Sequence, residues 1–198
     1  HTDQLLEFNP DIIITNKIPW DFVHGAYDEL TDKTLNKMAC QDDQIRALMD
    51  EFIGYCFYRR KELRQCEILT GERQNGKSTF LSMLIELLGS ENVATLDLKE
   101  IGHQFKTAEL FKKLANVGDY IEEEFISSPA VFKKIVSGNP VTVEQKGRDP
   151  FTLYNYSKLI FSANTIPRIR DRTGAVLSRM TIIPFDAKFT RDDPDFDP

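Results

Sequence analysis

The chain has 198 residues, a formal net charge of −6 and a pI near 5.2. That length holds one full domain with a small attachment, and it buries a core without covalent staples. Three cysteines without paired spacing exclude a disulfide framework and a zinc cluster, and no apolar run reaches the roughly 18 residues of a membrane helix. No signal peptide precedes the first turn signals. The chain starts at His1 rather than Met, so it reads as a piece of a longer, intracellular protein. Residues 1–40 mix turn signals with short apolar pieces such as Ile12–Ile14 and Ile18–Trp20. Ile45, Leu48, Met49, Phe52 and Cys56 then recur on one helical face, and Arg59, Arg60 and Lys61 stand where a helix C-terminus favours cations. Residues 1–62 are read as a small N-terminal helical region.

Beyond residue 62 short apolar strands alternate with helices, the pattern of an α/β fold. Strands are expected at Cys66–Thr70, Val93–Leu98, Leu114–Asp119, Lys158–Ser162 and Arg179–Phe185. Helices are expected at Thr79–Leu88, closed by Gly89, and after Ser128-Pro129, closed by Gly138. Val141–Tyr156 alternates around Lys146-Gly147-Arg148, which suggests a β-hairpin with a basic tip. The core is placed at residues 63–190, followed by an acidic tail at 191–198.

The sharpest signal is Gly71-Glu72-Arg73-Gln74-Asn75-Gly76-Lys77-Ser78, a G-x-x-x-x-G-K-[ST] match with a strand before it and a helix after it. Glycines let backbone N–H groups wrap phosphates, and a helix N-terminus adds its positive end. Lys77 is expected on the terminal phosphates of ATP, and Ser78 on Mg²⁺. Such a site needs a further acid for the metal and the attacking water. Asp119, ending an apolar strand, is the first candidate, and Glu122, Glu123 and Glu124 follow. Asn164 ends a buried strand at the sheet edge where α/β proteins bind ligands.

The order of these parts resembles a superfamily 3 helicase domain, and within it the phage and plasmid primase–helicase family that includes poxvirus-type enzymes. The matching segments are Ile13–Pro19, Glu51–Tyr55, Leu69–Thr79, Phe132–Gly138, Lys158–Asn164 with Pro167, and Arg179–Phe185. The resemblance implies an AAA+-like P-loop NTPase with a central, mostly parallel five-stranded sheet flanked by helices. It implies a homo-oligomer, a hexameric ring around DNA. In that frame Gly71, Asn75, Gly76, Lys77, Ser78 and Thr79 bind ATP and Mg²⁺, with Asp119 as the Walker B acid. Asn164 is the sensor, Lys146 and Arg148 contact DNA, and Arg179 is a finger for a neighbour's γ-phosphate. Relatives commonly place a second acid directly after the Walker B acid, where this chain has Tyr120. The catalytic acid is therefore open between Asp119 and Glu122. Relatives also often pair two arginines where this chain has Ser178-Arg179, which keeps Arg168, Arg170 and Arg172 in contention.

The overall charge first argues against nucleic acid. Its distribution reverses that: residues 1–50 carry −6, residues 191–198 carry −3, and residues 132–190 carry +6. The expected activity is an ATP-dependent replicative DNA helicase of phage or mobile-element type, moving on single-stranded or forked DNA in the cytoplasm of a bacterium or infected host. Any primase domain belongs to another part of the parent chain, and no membrane is involved. Tyr154 and Tyr156 are candidates for stacking on bases, while their alternation favours hairpin or core positions. The alternatives are a DNA-binding AAA+ initiator or loader that does not unwind processively, and a P-loop phosphotransferase, in which hairpin and Asn164 would be idle.

Overall fold

A computed structural model describes residues 6–7, 9–103, 105–120, 126, 128–164, 174–190 and 192, with Asp119 and Tyr120 described by backbone alone. Five strands form one sheet: β1 (Cys66–Thr70), β2 (Val93–Ala94), β3 (Ala115–Tyr120), β6 (Lys158–Ala163) and β7 (Met180–Pro184). Their order is β2-β3-β6-β1-β7, and every neighbouring pair is parallel. The remaining two strands, β4 (Val141–Val143) and β5 (Phe151–Leu153), form the separate antiparallel hairpin. The α/β fold read from the sequence is therefore present.

A parallel sheet is covered on both faces, so its strands are apolar at nearly every position and sort by alternation. Ile68 of β1 and Leu159, Phe161 and Ala163 of β6 face one core. That core is shared with α4 (Pro129–Ser137) and the inner residues Val141, Val143 and Leu153 of the hairpin. Leu69, Ile160, Ala115 and Val117 face the other core, beneath α1 (Glu29–Met38), α2 (Asp43–Cys56) and α3 (Lys77–Leu88). The N-terminal helices thus share their core with the P-loop helix through Met38, Met49, Phe52, Phe80 and Leu84. Each begins at an aspartate cap. Asp28 accepts from the Thr31 N–H at 2.7 Å, and Asp42 accepts from Gln44 and Ile45 at 2.8 and 3.1 Å.

The structure departs from sequence expectation in four places. The strand expected at Val93–Leu98 stops at Ala94, because the buried Asn116 side chain then takes over the pairing. Its Nδ2 donates to the Leu96 carbonyl at 3.0 Å and its Oδ1 accepts from the Leu96 N–H at 2.8 Å. Helix α2 ends at Cys56, capped by Phe57, so Arg59–Lys61 lie beyond its last turn. The Lys158 ammonium holds that following segment by its carbonyls: it donates to Arg60 at 2.8 Å and also to Tyr58. Ser128 caps α4 without a side-chain bond; Pro129 and Gly138 stand at its ends as expected. Arg179 belongs to a 3₁₀ turn, Leu177–Arg179, before β7. Among the described residues no helix is long and apolar enough to cross a membrane.

Candidate functional site

The loop between β1 and α3 has the shape its sequence demands. Gly71 has φ 153°, and a Cβ there would fall 2.2 Å from the Phe185 carbonyl oxygen. Gly76 caps α3 at φ 87°, where a Cβ would press on Met38 and the Phe189 ring at 2.9 and 3.1 Å. Only glycine fits either position. The first helical bond runs from the Phe80 N–H to the Gly76 carbonyl at 2.9 Å, and no side chain caps the turn before it. The N–H groups of Lys77, Ser78 and Thr79 therefore stand at the positive end of the helix beside the loop. Ser78 and Thr79 are exposed, and Asn75 is buried.

Lys77 is half-buried. Its ammonium donates to the carbonyls of Gly71 and Glu72 at 2.7 and 2.6 Å and to Asn75 Oδ1 at 3.3 Å. Burial lowers its pKa. The lysine thus has three neutral acceptors and a position at the loop mouth, where an anion would be a stronger partner.

Two adjoining cavities of about 490 and 500 Å³ open at this mouth, sharing Glu72, Asn164 and Lys188. Asn164 reaches them because the Gly71 N–H extends the β1–β6 pairing to the Ala163 carbonyl at 3.3 Å, and Asn164 is the next residue. Strand order puts Asn164 between the P-loop strand and β3. Gly118 pairs with Phe161 and Tyr120 with Ser162, so Asp119 is the extra residue of a bulge at the same sheet edge. Its backbone lies two strands from β1, roughly 10 Å away. Bulges beside active sites re-aim a strand's end. Glu122, Glu123 and Glu124 lie outside the described residues, as do Arg168, Arg170 and Arg172.

Arg179 and the hairpin tip stand apart from this edge. Cys66 pairs with Met180 and Thr70 with Pro184, so Arg179 precedes β7 at the opposite end of the sheet, roughly 17 Å from the P-loop. Its Nε donates to Ser137 Oγ at 3.2 Å and its Nη1 to the Ala175 carbonyl at 2.6 Å. It does not reach the P-loop of its own chain. Lys146 and Arg148 are exposed on the turn Gln145–Arg148.

The sequence reading missed one wall of the site. Residues 185–190 run over the P-loop: the Phe185 N–H donates to the Thr70 carbonyl at 2.7 Å and the Phe189 N–H to the Gln74 carbonyl at 2.9 Å. Asp186, Lys188 and Thr190 line the cavities, while Phe185 and Ala187 turn inward. The signal was present as strict alternation from Phe185 to Thr190.

Residues 69–179 match DUF5906, described as a family of unknown function. "Putative helicase 184R" of Invertebrate iridescent virus 6 is 29% identical over 199 residues, which covers 91% of this chain and 20% of that protein. The C-terminal region of NrS-1, solved in its apo form, superposes with a TM-score of 0.65 at 16% identity, covering 96% of this chain and 43% of that one. JCV helicase gives 0.58 at 16% identity, covering 83% and 47%. This chain thus spans a fifth of the viral relative and less than half of either solved chain. At these identities the solved chains show a likeness of fold.

Proposed function

Since the chain belongs to the DUF5906 family and shares the fold of a helicase domain, we propose that it is the ATPase core of a replicative DNA helicase. The observation that carries the reading is the convergence of the glycine loop and Asn164 on one pair of cavities, with the Lys77 ammonium held by the carbonyls of two lining residues, Gly71 and Glu72. The loop fits a nucleoside triphosphate with its metal: it offers a glycine cradle that a Cβ would fill, an uncapped helix N-terminus and an ammonium whose partners among the described residues are neutral. Gly71, Asn75, Gly76, Lys77, Ser78 and Thr79 would hold the phosphates, and Ser78 with Asp119 the Mg²⁺. When bound, that metal neutralises charge on the phosphates.

The chain's own groups do the rest. Lys77 neutralises terminal phosphate charge. Asp119 or Glu122 accepts the proton of the attacking water, and Asn164 orients that water. Arg179 serves a neighbouring subunit, a reading supported by its distance from the P-loop of its own chain. That requires a homo-oligomer, in this reading a hexameric ring in the cytoplasm, with residues 1–62 as its helical region, 63–190 as the motor and 191–198 as a tail. Lys146 and Arg148, exposed on the hairpin, contact the backbone of single-stranded DNA. A primase domain, where the parent protein has one, lies outside these residues.

ATP hydrolysis with and without single-stranded DNA, together with strand displacement on a forked duplex, tests this. DNA-stimulated hydrolysis with displacement is the expected result. Stimulation without displacement favours an initiator or loader, and hydrolysis indifferent to DNA favours a phosphotransferase.

A further inference from the structure

The end of the sheet opposite the P-loop carries a separate cavity of about 500 Å³, whose lining includes Arg59, Arg60, Arg64, Tyr154 and Tyr156. Lys158 builds it. Its side chain is buried, and its ammonium donates to the carbonyls of Tyr58, Arg60 and Tyr156, the latter two at 2.8 Å each. One cation thus joins the segment after α2 to the segment after β5. The side chains of Arg59, Arg60 and Arg64 stand at the surface.

The groove pairs cations with aromatic faces. The Arg59 guanidinium lies 4.5 Å from the Tyr156 ring centre, and the Tyr156 hydroxyl donates to Asn16 Oδ1 at 3.0 Å, which fixes the ring. Arg60 stands 6.0 Å from the Tyr58 ring. Tyr154, two residues before Tyr156, is 67% exposed, unusual for so large a ring. Among the described residues the one acid in the lining, Glu62, is engaged by Arg60 at 3.7 Å and by the Tyr58 hydroxyl at 3.3 Å. Arg59, Arg60 and Arg64 put three exposed cations into six residues. The Lys61 ammonium is buried without a hydrogen-bond partner among the described residues.

Phosphate alone would have no use for the tyrosines, and an apolar peptide none for the arginines. The complement of cations set among exposed rings is a chain of phosphates bearing flat bases. We propose that this groove binds single-stranded nucleic acid, with Arg59 and Arg64 on phosphates and the Tyr154 ring stacked on a base. The proposal rests on the reading of the chain as a single-strand-binding motor. It adds a second contact surface, joined to the hairpin tip by β5.

The test is fluorescence anisotropy of a labelled 20-nucleotide oligothymidylate titrated with the chain over a series of salt concentrations. Unchanged far-ultraviolet circular dichroism serves as the folding check. Arg59→Ala with Arg64→Ala should weaken binding roughly tenfold and flatten the salt slope by about 1.4, the share of two single-strand phosphate contacts. Tyr154→Ala should weaken it by a similar factor and Tyr154→Phe by less than about twofold, because the phenyl face keeps the stack. If both alanine variants bind within twofold of the parent while Lys146→Ala with Arg148→Ala weakens binding, the groove proposal is overturned and the motor reading stands. If the parent chain leaves the anisotropy unchanged at every concentration, both fall together.

Discussion

Replacing Lys158 by methionine removes a single charge and strands three carbonyls. The ammonium donates to Tyr58, Arg60 and Tyr156 and lies 4.2 Å from the Tyr55 ring centre. Methionine keeps most of the stem volume, so little cavity forms. The loss is then chiefly three acceptors without a donor. Each costs about 1 kcal/mol, the low end for such groups because Tyr58 and Arg60 are exposed, for a total of about 3 kcal/mol. In a domain of this length that corresponds to a fall in Tm of about 6–12 °C. A pH signature accompanies it. Burial pulls the Lys158 ammonium down to about 8 from 10.5, so the folded chain sheds this proton before the unfolded chain does. The parent gains stability from this group as pH rises from about 8 to 10.5, and Lys158→Met does not. Urea titrations at pH 7.5 and 9.5 should therefore show the gap between the two proteins widening. A Tm loss under 2 °C, or a gap independent of pH, would refute the reasoning.

Three further outcomes are expected. Lys77→Ala should lower ATP turnover at least a hundredfold in a coupled phosphate-release assay, since it removes the ammonium held at the first turn of α3 beside Gly71 and Glu72; retained turnover would remove the P-loop assignment. Arg179→Ala should abolish turnover yet recover part of it when mixed with Lys77→Ala chains, because each variant supplies what the other's interface lacks; a mixture as inactive as its parts would leave Arg179 structural. Burial raises the Glu67 carboxyl to about 8, above its ordinary 4.5, although Lys61 opposes the shift. The folded chain then holds one extra proton between about pH 4.5 and 8, and stability falls through that window by up to 1.4 kcal/mol per pH unit. Glu67→Gln should flatten that slope in urea titrations at pH 5.5, 6.5 and 7.5, and parallel slopes would contradict a neutral buried carboxyl.

What the sequence made legible follows from which forces act locally. β1, β6 and α3 announce themselves because a continuous apolar run, or apolar spacing at helical period, reports burial directly. The P-loop is legible because Gly71 and Gly76 are required by backbone geometry alone. Strand β2 is shorter than its sequence pattern because a side chain, Asn116, supplies the pairing of Leu96 from 20 residues away. Helix α1 was hidden because its apolar residues serve a core assembled with α2 and α3, and its mean hydropathy is low. The position of Arg179 was invisible until β1 and β7 were set in register, since the distance from the P-loop is a property of the pairing. The groove at Tyr154 was missed for the same reason. Alternation marks a tyrosine as part of an extended segment but does not reveal which face is left uncovered.

The stitching of residues 185–190 to the P-loop has a consequence for synthesis. Both strands that flank β1, β6 and β7, emerge from the ribosome about 90 and 115 residues after it, and the carbonyls of Thr70 and Gln74 find their donors only in Phe185 and Phe189. A nascent chain that already displays Gly71–Ser78 therefore carries the motif without the site. β1 waits as an apolar strand with both edges open, the state in which chains most readily associate wrongly. The walls of the proposed phosphate site are complete only with the final residues of the core, so a chain interrupted before Phe185 leaves the loop unfinished.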